Sequence, residues 1–290
     1  MSQIHDIGKP IPLEEDTLHA LDPGLERLGQ SSATEPDPIA AISDADSTNT
    51  VSLTGNASPR DVLSHCHEAT WTPDAESMLF WEGKERARGT EEFRALRSRL
   101  YRLRREQPFK SLLVTSALPK EGRSFVAANL AQVMALQPKC RVLLIDADLR
   151  NPRLHFLFGT FAVPGFSEYL SQETDEFAIM QKGCEEDLFF IPSGRSVARP
   201  TELISNGRLK SLLARVEPLF DWIIIDAPAA IPVSDACILA HSCDGVLLVV
   251  RSSSTPFDVV RKARARFRDE SLIGVVLNEI KADSSSDMAQ

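Results

Sequence analysis

Between residues 111 and 277 short apolar runs alternate with helical patterns, and this alternation limits what the chain can fold into. The runs 111–116, 141–146, 188–192, 222–226, 245–250 and 273–277 read as six strands. They are apolar at nearly every position, not at every second one. A strand of that kind has to be covered on both faces, which is the condition of a parallel strand under helices. The segments 125–136, 202–216, 235–241 and 257–267 read as the covering helices. The expected fold is α/β, a mostly parallel sheet with helices on both faces, which binds ligands at the carboxyl ends of its strands. A further helix is expected at 90–105, with Phe93, Leu96, Leu100 and Leu103 on one stripe and six arginines on the other faces. On charge alone that basic face is a solvated surface, with docking to an acidic neighbour or an anionic membrane as the sharper alternative.

The net charge of -9 is unevenly placed. Residues 1–80 hold 14 acidic and 3 basic residues, a balance of -11, and the remainder is near neutral at +2. Such an acidic leader is repelled by phosphates and excludes nucleic acid as its partner. Residues 1–85 read as a mostly disordered acidic leader, 86–281 as the folded domain and 282–290 as a frayed Ser/Asp-rich tail. Trp71 and the run Met78-Leu79-Phe80-Trp81 read as sticky residues of a linker in preference to docking pieces. No stretch approaches the roughly 20 apolar residues of a membrane-spanning helix, and no secretory signal is read. Five cysteines without a CxxC pair point to reduced thiols in the cytoplasm. His65, Cys66 and His67 are adjacent in sequence and so seldom converge on one metal ion.

The chemistry is expected where strands end. After the first strand comes Ala117-Leu118-Pro119-Lys120-Glu121-Gly122-Arg123-Ser124, just before a helix. A phosphate-binding loop there reads G-x-x-x-x-G-K-[ST], its amides wrapping phosphates and its hydroxyl binding magnesium. Gly122 and Ser124 fit; Ala117 replaces the first glycine and Arg123 the lysine. Asp146 and Asp148 end a second strand two residues apart, so their carboxylates point the same way. Asp226 ends another strand and is placed as an acid that meets magnesium. Alone, each such acid also reads as a helix cap or a turn; three at strand ends behind this loop point to a nucleotide.

These residues resemble the cytoplasmic domains of bacterial tyrosine kinases. The likeness rests on Asp146-Ala147-Asp148-Leu149-Arg150-Asn151-Pro152, on Ile191-Pro192-Ser193-Gly194 with Pro200-Thr201-Glu202-Leu203-Ile204, on Asp226-Ala227-Pro228 with Pro232-Val233-Ser234-Asp235-Ala236, and on Glu91, Arg94 and Arg97 as an E-x-x-R-x-x-R motif. The resemblance implies ATP or ADP with Mg2+. The loop from Pro119 through Lys120, Glu121, Gly122, Arg123 and Ser124 to Phe125 would hold the nucleotide, and Asn278 would face its adenine. Ser124 and Asp226 would serve the metal with Asp146 beside it. Asp148 would activate the attacking hydroxyl, and Arg123 would take the place of the catalytic lysine. Glu91, Arg94 and Arg97 would form a homo-oligomer surface, which replaces the solvated-face reading. The resemblance also implies a role in exopolysaccharide or capsule export, peripheral to the inner membrane through a chain-length-determinant adaptor that is a separate chain.

Besides the missing transmembrane segment, residues of the chain depart from that family pattern. Lys120 and Arg123 stand where the family carries glycine and lysine, Glu279 follows Asn278 in place of an arginine, and only Tyr101 and Tyr169 are tyrosines, so the C-terminal tyrosine cluster is missing. A catalytically impaired nucleotide-binding scaffold of the same system is the alternative. A partition-type ATPase is disfavoured because Leu118 stands where those proteins carry their signature lysine, and an iron–sulfur ATPase because no cysteines are paired.

Overall fold

The computed structural model describes residues 3–5, 62–81, 89–183 and 187–279. The disorder expected at 30–59 and the frayed tail at 282–290 lie outside the described residues. Among the described residues nine strands form one sheet in the order β1-β9-β8-β3-β7-β4-β6-β5-β2. They are β1 (Gln3–His5), β2 (His67–Glu68), β3 (Ser111–Ser116), β4 (Val142–Asp146), β5 (Gln181–Lys182), β6 (Leu188–Ile191), β7 (Trp222–Asp226), β8 (Gly245–Arg251) and β9 (Leu272–Asn278). The six inner strands are the six expected ones, and they run parallel. The edges were not expected from the pattern: β1 pairs antiparallel with β9, and β5 antiparallel with β6. Two- and three-residue strands carry too little periodicity to be seen.

The helices are α1 (Thr90–Glu106), α2 (Arg123–Ala135), α3 (Leu154–Phe158), α4 (Phe166–Leu170), α5 (Pro200–Ile204), α6 (Arg208–Val216), α7 (Asp235–Ala240) and α8 (Phe257–Arg264). The single helix expected at 202–216 is two. Gly207 takes a left-handed φ of 78°, and Asn206 Oδ1 accepts the Arg208 amide at 2.9 Å, so the chain turns between α5 and α6. Alternate residues of the inner strands serve opposite faces. Leu113, Leu143, Ile145, Ile223 and Ile225 join Phe166, Ile204, Leu212 and Leu239 of α4 to α7. Leu112, Val114, Leu144, Trp222 and Ile224 join Phe93, Val126, Leu130 and Phe158 of α1 to α3. Because both faces are covered, uniformly apolar strands are the stable solution.

The segment 62–81 is a strap on this core, which corrects its reading as a linker. Trp71, Met78 and Phe80 are buried. Trp71 lies edge-on to Phe158 at 4.9 Å, and Phe80 edge-on to Phe93 at 6.3 Å. The backbone is tied too: the Thr72 and Asp74 amides donate to the carbonyls of Phe158 and Leu157 at 3.0 and 2.9 Å. On α2, Asn129 accepts the Leu79 amide at 2.8 Å and donates to the Ser77 carbonyl at 2.8 Å. Among the described residues no helix is long and apolar enough to cross a membrane.

Candidate nucleotide site

β7 lies between β3 and β4, so the loops after β3 and β4 open on either side of the end of β7. The register sets Asp146 opposite Asp226 across the β4–β7 pair, and Val114 opposite Asp226 across β3–β7. Strand order therefore brings the 117–124 loop, Asp146, Asp148 and Asp226 to one corner.

The loop is braced from beneath. Glu121 is buried; its carboxylate accepts the Leu118 amide at 2.7 Å and the Thr255 hydroxyl. Asn278 donates from Nδ2 to the Glu121 carbonyl at 3.0 Å. Gly122 has φ 89°, and a side-chain carbon there would collide with the Asn278 amide, so glycine is required. Lys120 is exposed and also left-handed, with φ 67°. α2 begins at Arg123 and presents its first-turn amides at the loop, an arrangement suited to phosphate. The side chains of Glu121 and Asn278 are thus engaged on the protein, and Phe125 lies edge-on to Phe93 of α1 at 5.8 Å.

Asp146 is fully buried and holds the chain that follows it. Its Oδ1 accepts the Asp148 amide at 3.2 Å, and its Oδ2 the amides of Arg153 and Leu154 at 3.2 and 3.1 Å. Burial, then the charge of Asp226, pushes its carboxyl well above the usual carboxylate range. Asp148 Oδ1 accepts the amides of Arg150 and Asn151 at 3.2 and 3.0 Å. Its other oxygen pairs with the Arg123 guanidinium, whose Nε lies 3.9 Å from Asp226 Oδ1. Both oxygens of Asp226 are buried without a hydrogen-bond partner. Burial pushes Asp226 up to about 7, opposed by the charge of Arg123 and the neighbouring Ser124 hydroxyl and aided by Asp148.

Unpartnered Asp226 oxygens beside a hydroxyl fit Mg2+, which keeps waters and phosphate oxygens and needs only one or two protein ligands. Among the described residues no three His, Cys, Asp or Glu side chains form a closed metal cage. The residues expected at a surface between copies lie elsewhere: Glu91 and Arg94 pair on the surface of α1, and Arg97 donates to the Val133 carbonyl of α2 at 2.8 Å.

Sequence reasoning assigned no role to Arg150, Thr201 or Asp235. Arg150 donates to Asp235 and to Thr201 Oγ1, both at 2.7 Å, and Thr201 donates to Asp235 Oδ1 at 2.7 Å. Each lies in a segment quoted for the resemblance, but no spacing signals that they meet.

A loop at a helix N-terminus, flanked by acids at the ends of parallel strands, defines a P-loop nucleotide-binding α/β protein. The comparisons with known proteins narrow that class. The chain is 34% identical over 200 residues to the tyrosine-protein kinase YwqD of Bacillus subtilis, covering 68% of this chain and 84% of that one. It is 33% identical over 198 residues to the tyrosine-protein kinase CpsD of Streptococcus agalactiae, covering 67% and 84%. Among solved structures, the kinase domain of Escherichia coli tyrosine kinase ETK matches with a TM-score of 0.64 at 31% identity, over 69% of this chain and 79% of that one. The chimerical protein CapA2B2 matches at 0.66 and 27% identity, over 78% and 100%. No protein-family profile matches the chain. The chain belongs to the bacterial tyrosine-protein kinase family.

Proposed function

We propose that this chain binds ATP and ADP with magnesium and acts in exopolysaccharide or capsule biosynthesis, peripheral to the membrane beside a chain-length-determinant adaptor that is a separate chain. The observation that carries the nucleotide reading is the convergence of the 117–124 loop, at the head of α2, with Asp146, Asp148 and Asp226. The loop amides and Lys120 would hold the phosphates. Ser124 and Asp226 would hold Mg2+, with Asp146 beside it; the ion neutralises charge on a phosphoryl group in transfer. Asp148 would orient the attacking hydroxyl. Glu91, Arg94 and Arg97 would form the contact between copies, and the Phe93–Phe125 contact connects that helix to the head of α2.

The acceptor is proposed to lie on another molecule or in the serine-rich tail. Tyr169 is buried beneath the Arg208 guanidinium, and half-buried Tyr101 faces Cys140 Sγ at 3.4 Å. Domain bounds of 1–85, 86–281 and 282–290 are kept in this reading, with β1 and the buried strap from Val62 counted with the same compact unit as the domain.

The Arg123–Asp148 ion pair favours a second reading, a catalytically impaired scaffold, because it occupies the carboxylate assigned to the hydroxyl. Calorimetric titration with Mg-ADP and a non-hydrolysable ATP analogue, on the native chain and on Arg123→Lys, separates the two. Binding by the native chain, with phosphotransfer to a partner, supports the kinase. Binding gained only in Arg123→Lys supports the scaffold. No binding by either removes the nucleotide reading.

A further inference from the structure

Arg123 opens α2, and its guanidinium turns to the strand ends. It pairs with Asp148 and approaches Asp226 to 3.9 Å, with its side chain 11% exposed and the two carboxylates 1% and 0%. The planar guanidinium presents several donors in a fixed fork and spans two carboxylates in a way a single ammonium head does not. Three acids crowd the ends of β4 and β7 in so dry a corner, and Arg123 is a cation that meets two of them. A hydrated divalent ion meets the same demand through the same oxygens, since those of Asp226 have only the neighbouring Ser124 hydroxyl beside them.

From this geometry we infer that Arg123 and a divalent cation are alternative occupants of the Asp148–Asp226 corner, so that nucleotide binding by this chain is only weakly coupled to magnesium. The inference rests on the nucleotide reading above and concerns the regulation of that site. With the guanidinium in place, phosphates meet a corner already partly neutralised. For the metal to enter, the Arg123 pair has to open, which removes part of the affinity the metal adds. A lysine at 123 leaves the corner freer and restores metal dependence.

Two measurements test this on the full chain. ADP is titrated calorimetrically with magnesium and with EDTA into native protein and Arg123→Lys. The native Kd is expected to change by less than about fivefold, the lower end of ordinary coupling between sites, and that of Arg123→Lys by about tenfold or more. A native dependence as large as that of Arg123→Lys overturns the inference and leaves the nucleotide reading standing.

The second measurement needs no nucleotide: Mn2+ is added and broadening of the backbone amides of residues 147–149 and 226–227 is followed by NMR. Arg123→Gln is expected to broaden them at about tenfold lower Mn2+ than the native chain, a coupling within the ordinary range. Arg123→Lys, which keeps the charge and guards against a folding defect in Arg123→Gln, is expected to fall between. Equal broadening in all three overturns the inference. If the contrast appears while no form binds nucleotide, the nucleotide reading falls and the competition at this corner stands.

Discussion

Arg150 closes on Asp235 through Nε at 2.7 Å and a terminal nitrogen at 3.3 Å, joining the loop after β4 to the first residue of α7. Its own amide donates to Asp148, so this clasp and the carboxylate that meets Arg123 share one short loop. Asp235 is fully buried and also holds Thr201 of α5. Three segments far apart in the chain are therefore tied at the edge of the candidate site.

Arg150→Ala is expected to lower unfolding stability by about 1–2 kcal/mol. It leaves a buried carboxylate with the Thr201 hydroxyl alone, and the loss is moderated because a third of the Arg150 side chain is in solvent. Urea denaturation measures this, and a loss below about 0.5 kcal/mol would show that the clasp contributes no more than an ordinary surface position.

Lys120→Gly is expected to raise stability by about 0.5 kcal/mol. The left-handed φ of 67° costs a side-chain-bearing residue about 1–2 kcal/mol, from which the greater freedom of glycine in the unfolded chain subtracts. The same change is expected to weaken ADP binding, because Lys120 supplies charge at the loop. Thermal melts and titration check the two effects separately.

Asn129→Ala is expected to cost about 1–3 kcal/mol, since it leaves the Leu79 amide and the Ser77 carbonyl without their partner in the core. The strap should loosen before the sheet does. Limited proteolysis would then cut within residues 62–81 faster than in the native chain, and an unchanged cleavage rate would count against Asn129 as the tie.

Stability is expected to fall as pH rises between about 4 and 7 through the contribution of Asp226. Burial raises its carboxyl to about 7 in the folded chain from an ordinary 3.8, with Asp148 adding and Arg123 opposing. The folded state thus binds this proton more readily than the unfolded chain. That contribution is complete below the unfolded value and is lost as pH passes through the folded one. Asp146 is shifted in the same direction. Asp226→Asn should flatten the decline in urea midpoint across that range, and a native-like decline in this variant would refute the assignment.

The inner sheet was legible because strand burial is written locally, in uniformly apolar runs each ended by a turn. The loop and the acids were legible for the same reason, since each lies where its own strand stops. The single helix read at 202–216 failed because Gly207 turns left-handed and Asn206 holds the Arg208 amide, a break that the Asn206 bond to the Leu170 carbonyl of α4, at 2.9 Å, anchors from outside the segment. The strap was misread because 71–79 has no periodicity of its own and its partners, Phe158 for Trp71 and Asn129 for Ser77 and Leu79, lie on distant elements.

By itself, then, the sequence determined the class of fold, the strand ends that carry the candidate nucleotide site, and the family likeness carried by Asp146, Asp148 and Asp226. Only the tertiary structure decided that Arg123 faces Asp148, that Glu121 and Asn278 brace the loop from beneath, and that Arg150 grips Asp235. The physical reason is the order of the sheet. β7, more than a hundred residues after β3, inserts between β3 and β4, and no local pattern records which side chains that insertion brings face to face.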